Sequence, residues 1–447
     1  MRLFGTSGIR GPADSLFTNQ FCFDIGRTFA RFLDNHRQSG PVAVGMDPRQ
    51  SSQRIKEYFS AGLIQEEKEV FDEGIVPIPA MNWILISSPF SGSAMITGSH
   101  IKEDLNGIKF FALKEEILTS HEKEIEKIYQ DLKEKVSLPL EAPKIEIEEK
   151  ARIDYQEMLL KLADLPYPSW RAVLDTGNGA QTEVMSEVLE KLGVEAIKIN
   201  SDLNLPILTR DTETEGAFLD LQKRVLSEKA DFGLGFDADG DRVIFVDEKG
   251  TFVPGDYSGT LIAKYSDTPV VVAPINTSQV VERIGKKVVR TKVGSPYVVE
   301  KMKETGASFG FEANGGGISS EIMMSRDGGS SMIKVLNLMK KTKKSLRELV
   351  SELPKFYLYK TKVDCPWELD EKVLREAKIR FQGIKIEEID GLKIWLSNST
   401  WILFRTSQNA PEFRVFCEAK SEKEARKLGE DGIELVKQVI RGSENQR

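Results

Sequence analysis

Val42-Ala43-Val44-Gly45-Met46-Asp47 is an apolar, β-branched run that ends on a polar residue just ahead of a helical pattern. A run without polar–apolar alternation reads as a strand buried on both faces, the kind found in a parallel sheet covered by helices. The same order of residue types returns at Ala172-Val173-Leu174-Asp175-Thr176-Gly177 and at Val270-Val271-Val272-Ala273-Pro274. Each is read as a strand entering a helix. Recurrence roughly every hundred residues predicts three similar α/β domains with mixed, mainly parallel sheets.

A charged, helix-forming stretch between Glu115 and Lys150 is interrupted by Pro139 and Pro143, which predicts the first boundary. The helical segment Ser330–Leu353 ends at Pro354. Beyond it, the strand-like runs Lys393–Leu396 and Ile402–Phe404 lead to a helical pattern over Glu422–Ile440, without the earlier strand–turn–helix opening. The expected domains are therefore 1–148, 149–254, 255–354 and a smaller α+β domain over 355–447. The run Lys340-Lys341-Thr342-Lys343-Lys344 reads as a solvated helix end.

A chain of 447 residues with a formal net charge of −7 is not a general nucleic-acid binder, because phosphate backbones demand a basic face. An anionic small molecule needs only a local basic pocket. No stretch approaches the roughly 20 apolar residues that span a bilayer, and the start, Met1–Thr6, has no apolar run of secretory length. A cytoplasmic protein, monomer or homodimer, without membrane or nucleic-acid partners, is expected. Cys22, Cys365 and Cys417 have neither metal-ligand nor redox spacing and read as reduced packing thiols.

The sharpest chemical signal is Gly235-Phe236-Asp237-Ala238-Asp239-Gly240-Asp241-Arg242, set between the apolar stretches Asp231–Phe236 and Val243–Val246. Three carboxylates at alternating positions repel one another unless a hard divalent cation with oxygen ligands, Mg²⁺ or Ca²⁺, sits among them. A calcium EF-hand loop also opens Asp-x-Asp-x-Asp, and Glu248 falls at its twelfth position. Its sixth position, however, is Arg242 rather than glycine, and the flanks read as strands. A solvated acidic turn is the plainer alternative. Arg242 adds a forked partner for phosphate and favours a Mg²⁺ site for phosphoryl chemistry.

Thr97-Gly98-Ser99-His100 ends another apolar strand and exposes a hydroxyl on a loop. Ser99 is a candidate nucleophile, with His100 and Lys109 nearby to activate it, or else a turn serine eased by Gly98. Two further loops carry recognition groups. Gly310–Gly317 reads as a plain Gly-rich turn or as a loop offering Glu312 and Asn314 for hydroxyls, without the lysine of a P-loop or the spacing of a dinucleotide fingerprint. Arg405–Arg414 brackets hydroxyl and amide side chains with two arginines, which suits a phosphate dianion or a polar hairpin.

Taken in order, these loops resemble those of the α-D-phosphohexomutase family, which includes phosphoglucomutases, phosphomannomutases and phosphoglucosamine mutases. Phe4-Gly5-Thr6-Ser7-Gly8-Ile9-Arg10-Gly11 is similar to the family's amino-terminal motif, and the likeness spans essentially the whole chain. It implies three topologically similar α/β domains and a smaller C-terminal α+β domain around a central cleft. Ser99 takes the phosphoserine position, and Asp237, Asp239 and Asp241, with a Ser99 phosphate oxygen, take that of the Mg²⁺ ligands. Arg10, Lys109 and Arg242 match the surrounding basic residues, and His100 or Lys109 the general acid/base. Glu312 and Asn314 match the sugar loop; Arg405, Ser407, Gln408, Asn409 and Arg414 match the phosphate loop. The implied reaction interconverts hexose 1-phosphate and hexose 6-phosphate through a hexose 1,6-bisphosphate.

Three departures bear on substrate. Ile101-Lys102 replaces the usual Asn-Pro, Asn314 stands where many members have serine, and Gln408-Asn409-Ala410-Pro411 replaces Gly-Thr-Glu-Pro. Similar variants occur in bacterial proteins called phosphomannomutases, which implies mannose phosphate, with glucose or glucosamine phosphate as alternatives. A non-catalytic sugar-phosphate-binding paralogue and a Mg²⁺-dependent phosphatase using an aspartyl phosphate are the readings from other classes.

Overall fold

The Val42 run is an interior strand of a sheet, flanked on both sides, in keeping with the burial of Val42–Gly45. The computed structural model describes residues 3–4, 8–132, 136–139, 141–407 and 411–444, except for the side chains of 119 and 444. Its first sheet is built from β1 (Ile9–Pro12), β2 (Val42–Met46), β3 (Val70–Ile75), β4 (Gly92–Ile96), β5 (Leu105–Ala112) and the short β6 (Glu115–Glu116). β2 lies parallel to β3 and β4, whereas β4, β5 and β1 pair in succession antiparallel. Helices α1 (Asn19–Asn35), α2 (Ser52–Gln65), α3 (Ile78–Ser87) and α4 (Thr119–Asp131) connect or succeed these strands. Thr18 caps α1 by accepting from Phe21 N at 3.2 Å, supplying a partner for an otherwise orphaned donor. α1 and α2 touch backbone to backbone, because a Cβ on Gly26 would lie 2.1 Å from the Phe59 carbonyl oxygen and one on Gly62 would lie 2.0 Å from that of Phe23.

After α5 (Lys150–Leu162), the second run becomes β7 (Arg171–Asp175), succeeded by α6 (Gln181–Lys191), β8 (Glu195–Ile199), α7 (Leu219–Glu228), β9 (Phe232–Phe236), β10 (Val243–Asp247), β11 (Phe252–Val253) and α8 (Gly255–Tyr265). The sheet order β11-β10-β9-β7-β8 repeats the plan of the first: an interior strand parallel to two neighbours, then a hairpin away from it. The third run, β12 (Val270–Pro274), is again parallel to two partners, β13 (Lys287–Thr291) and β14 (Phe309–Phe311). The segment after β12 departs from the expected pattern. No α-helix starts there; a 3₁₀ turn over Gln279–Arg283 begins where Ser278 accepts from Val280 N, and Gly285, with φ 75°, lies just beyond it.

α9 (Ser295–Thr305) precedes β14, and β15 (Gly317–Ser319) and β16 (Met323–Asp327) form an antiparallel pair. The helical stretch expected over 330–353 is two helices, α10 (Gly328–Thr342) and α11 (Leu346–Ser351), separated at Lys343, whose φ of 55° is left-handed and cannot continue a helix. The last sheet is wholly antiparallel, in the order β17 (Tyr357–Asp364), β21 (Glu412–Ala419), β20 (Thr400–Thr406), β19 (Leu392–Ser397), β18 (Lys385–Glu387). α12 (Asp370–Arg380) and α13 (Glu422–Glu444) cover it over a core that includes Val373, Ile402, Phe404 and Val436.

By compactness the chain divides into two units, Met1–Ser266 with Asn314–Val350, and Asp267–Ala313 with Ser351–Arg447. Inside the second, Glu418 accepts from Gln279 N (2.9 Å) and Trp401 Nε1 (2.8 Å), fastening the turn after β12 to the antiparallel sheet. Among the described residues, no helix is long and apolar enough to cross a membrane.

Candidate active site

Ser99 stands in the turn after β4, buried, with φ 53° in the left-handed region that side-chain-bearing residues seldom adopt. Its amide donates to Thr97 Oγ1 at 2.8 Å, and its own Oγ lies 3.3 Å from His100 Nδ1 and 3.5 Å from Asp237 Oδ2. The β4–β5 hairpin pairs Met95 with Lys109, which returns Lys109 to the same place. From there Nζ reaches Asp239 Oδ2 at 3.4 Å and Asp241 Oδ2 at 3.6 Å.

The three aspartates occupy the connection between β9 and β10, whose last pair is Phe236 with Val243. All three are buried, and oxygens of the three carboxylates lie within 4.8 Å of one another. The connection is anchored to the first sheet's helices by Ile78 N, which donates to the Asp239 carbonyl at 2.9 Å. Arg242 Nε is 3.6 Å from both Asp237 Oδ2 and Asp241 Oδ1. Arg10, on β1 opposite Gly107, has a buried Nε without a hydrogen-bond partner. A residue that sequence reasoning does not single out completes the set: Arg326, at the end of β16, donates from Nη2 to Asp241 Oδ2 at 2.6 Å.

These charges shape the titrations. Burial, reinforced by Asp239 and Asp241, pushes the Asp237 carboxyl well above the usual range. Burial acts the same way on Asp241, but Arg326, then Lys109 and Arg242, overcome it and hold that carboxyl below the usual range. The Arg242 charge, then burial, then Arg10 and Arg326 drive the His100 imidazole down to about 2, so it is neutral at physiological pH. A dianion on Ser99 Oγ acts in the opposite sense on that imidazole.

Asp239 Oδ1 and Asp241 Oδ1 are buried without a hydrogen-bond partner. Orphaned, hard, anionic oxygens at this spacing fit a small divalent cation. Lys109, Arg10, Arg242 and Arg326 already oppose the three carboxylates, so a bound divalent cation leaves a positive surplus suited to phosphoryl groups.

Three family models match the chain: "Phosphoglucomutase/phosphomannomutase, alpha/beta/alpha domain I" over residues 1–136, domain II over 154–250 and domain III over 254–357. The chain belongs to the phosphoglucomutase/phosphomannomutase family. It is 33% identical to a phosphoglucomutase/phosphomannomutase of Thermococcus kodakarensis, an alignment covering 99% of this chain and 100% of the relative. It is 30% identical to a probable phosphoglucosamine mutase of Methanopyrus kandleri over 98% of each chain. In fold it is similar to a phosphoglucomutase/phosphomannomutase family protein of Burkholderia thailandensis, with a TM-score of 0.83, 21% identity, and coverage of 99% and 98%. Phosphohexomutases are isomerases that relocate a phosphoryl group, and this family member is an enzyme of that class.

The remaining expected site residues are divided between the two units. Asn314 is in the first, where its carbonyl accepts from Thr212 Oγ1 at 2.8 Å; Glu312 is buried in the second. Arg405 and Arg414 face each other across the β20–β21 pair, and Arg414 Nη2 lies 3.4 Å from Ser407 Oγ. Both arginines already carry carboxylates: Arg405 Nε donates to Asp390 (2.7 Å), and Arg414 donates twice to Glu412 Oε1 (3.0 and 2.7 Å). Gln408 and Asn409, like Gly5, Thr6 and Ser7, lie outside the described residues.

Proposed function

We propose that this family member interconverts hexose 1-phosphate and hexose 6-phosphate with Ser99 as the phosphoryl carrier. The observation that carries the reading is the meeting of Ser99 Oγ with Asp237 Oδ2 at 3.5 Å and His100 Nδ1 at 3.3 Å, amid buried carboxylates and cations. In the forward half-reaction a sugar hydroxyl attacks the phosphorus on Ser99. The P–Oγ bond breaks, the P–O(sugar) bond forms, and the proton of the sugar hydroxyl passes to Ser99 Oγ. His100 Nδ1 is placed to deliver or take that proton at the serine end, and its neutral imidazole has a lone pair for the reverse step. Lys109, paired with two aspartates, suits charge neutralisation and, in the reverse transfer, delivery of a proton to the departing sugar oxygen. Mg²⁺ bound by Asp237, Asp239 and Asp241, together with a Ser99 phosphate oxygen, would neutralise charge on the moving phosphoryl group. Arg10 and Arg242 supply the remaining counter-charge. The hexose 1,6-bisphosphate then turns round and returns its other phosphate to Ser99. Glu312 and Asn314 are read as contacts to sugar hydroxyls, and Arg405, Ser407, Gln408, Asn409 and Arg414 as contacts to the distal phosphate.

For the sugar, the loop variants favour mannose phosphate. Glucosamine phosphate is the second reading, favoured by relatives named phosphoglucosamine mutases, with glucose phosphate suggested by the Thermococcus relative's name. A side-by-side assay of mannose, glucose and glucosamine 1-phosphates with Mg²⁺ and the matching bisphosphate ranks them. Phosphate on Ser99 by site-resolved mass spectrometry, and loss of turnover in Ser99→Ala, are the expected results. Full turnover by Ser99→Ala would defeat the proposal.

A further inference from the structure

Arg49 is a buried arginine with no part in the chemistry above, and all of its donors are aimed at one turn and one carboxylate. Its side chain and that of Asp47 have no exposed surface. Taking an ion pair out of water is costly, so such a pair is tolerated only when its hydrogen bonds are complete. Here they are. Nε donates to Asp47 Oδ2 (3.0 Å), Nη1 to the carbonyls of Lys102 (2.9 Å) and Leu105 (3.3 Å), and Nη2 to those of Ser99 (2.6 Å) and Ile101 (2.8 Å). A guanidinium has five N–H groups in a planar fork, and each has an acceptor.

Asp47 works on the other side of the same turn. Its Oδ2 accepts from Thr97 Oγ1 (2.8 Å) and Gly98 N (3.2 Å), and Oδ1 from Ser52 Oγ (2.7 Å). Thr97 Oγ1 in turn accepts from Ser99 N. The Thr97 hydroxyl has one proton, and the 2.8 Å acceptor on Asp47 takes it in preference to Asp239 Oδ2 at 3.3 Å, which leaves the Asp239 oxygen free for other partners. Gly98 completes the fit, since a Cβ there would lie 2.6 Å from Arg49 Cζ.

We infer that Arg49, seated on Asp47, is a positioning residue that grips the backbone of residues 99–105 and so holds left-handed Ser99 with its Oγ toward Asp237 and His100. Two features require such a grip. A serine at φ 53° relaxes to the right-handed or extended region unless both of its peptides are held. And Ile101-Lys102, which has no proline to stiffen the turn, offers both of its carbonyls to Arg49.

The inference rests on the reading of Ser99 as phosphoryl carrier, and the test separates the two. In Arg49→Lys the charge beside Asp47 survives but the fork is lost. Because Arg49 contacts neither sugar nor phosphate in the proposed reaction, kcat is expected to fall about 100-fold with KM within about threefold of wild type. Amide exchange over Ser99–Leu105 is expected to accelerate in the unphosphorylated protein, with exchange in β4 and in the rest of β5 unchanged. Should Arg49→Lys fail to fold, Gly98→Ala, which drives a methyl into the guanidinium, is expected to give the same exchange change and the same kcat loss. Wild-type kcat in a folded variant, or unaltered exchange over 99–105, overturns the positioning role. Absence of phosphate on wild-type Ser99 after incubation with the bisphosphate overturns the functional reading instead, while the exchange result still decides what Arg49 does to the turn.

Discussion

Arg326 Nη2 donates to Asp241 Oδ2 at 2.6 Å, joining residues 85 positions apart in the middle of the aspartate cluster. The other Asp241 oxygen, Oδ1, is buried without a hydrogen-bond partner, as is Asp239 Oδ1. Removing Arg326 leaves Asp241 with only the longer pairs to Lys109 and Arg242, both at 3.6 Å, at a cost of up to about 3 kcal/mol. Arg326→Met is expected to lower the urea midpoint accordingly. A cation in the cluster takes over part of the lost compensation, so added Mg²⁺ is expected to raise the variant's midpoint more than that of the wild type. Equal Mg²⁺ responses in the two proteins would show that the arginine and the metal act on different groups.

Ser99 carries a backbone conformation that its side chain disfavours by about 1 kcal/mol, and glycine does not share that preference. Ser99→Ala and Ser99→Gly are both expected to abolish mutase turnover. They differ in stability: the glycine variant is expected to unfold at higher denaturant than the alanine variant, because only alanine retains the steric penalty at φ 53°. A denaturation series on the three proteins measures this directly, and a less stable glycine variant would argue that the turn relaxes when the hydroxyl is lost.

Which parts of this site are legible in the sequence depends on how local each interaction is. The Val42 and Ala172 runs announce their strands because burial on both faces demands apolar residues throughout. The Val270 run gives its strand but not its sequel: Thr277 and Ser278 favour a capped 3₁₀ turn over the expected helix. Asp237, Asp239 and Asp241 lie within five positions, so their clustering is visible in one dimension. Arg49 and Arg326 are not visible that way, because their partners come from Ser99–Leu105 and Asp241, brought near only by sheet order. Nor does the pattern Arg405–Arg414 disclose that Asp390, from a different strand connection, already engages Arg405.

Glu412 occupies an edge of the Arg414 guanidinium, with Oε1 accepting from both Nε and Nη2, while Lys362 holds its other oxygen at 2.7 Å. Partial burial raises that carboxyl, but hydrogen bonds from Lys362 and Arg414 outweigh it and keep the group ionised. A phosphate approaching Arg414 therefore meets a competing anion. Glu412→Gln keeps the shape and removes the charge. It is expected to lower KM for the sugar phosphate by roughly threefold to tenfold with little change in kcat, and to steepen the rise of KM with salt. An increase in KM would mean that Glu412 orients Arg414 more than it competes.

Lys393 is buried on β19 with Nζ 2.9 Å from the Ile275 carbonyl oxygen and 3.8 Å from the centre of the Trp401 ring. Burial, then the charge of Arg290, lowers its ammonium to about 7, against an ordinary value of 10.5. The indole face favours the protonated form and pulls the folded value back upward, which shortens the window from its lower end. Below pH 7 both folded and unfolded chains hold the proton, and this group gives stability no slope. Between about 7 and 10.5 the unfolded chain keeps a proton that the native state releases, so stability rises with pH, by up to about 5 kcal/mol across the window. Lys393→Met removes the titration. Unfolding free energies at pH 6.5 and 10 are therefore expected to differ by several kcal/mol less favourably to high pH in the variant than in the wild type. Parallel pH profiles would place the Lys393 ammonium at its ordinary value, with the Trp401 face and the Ile275 carbonyl fully offsetting its burial.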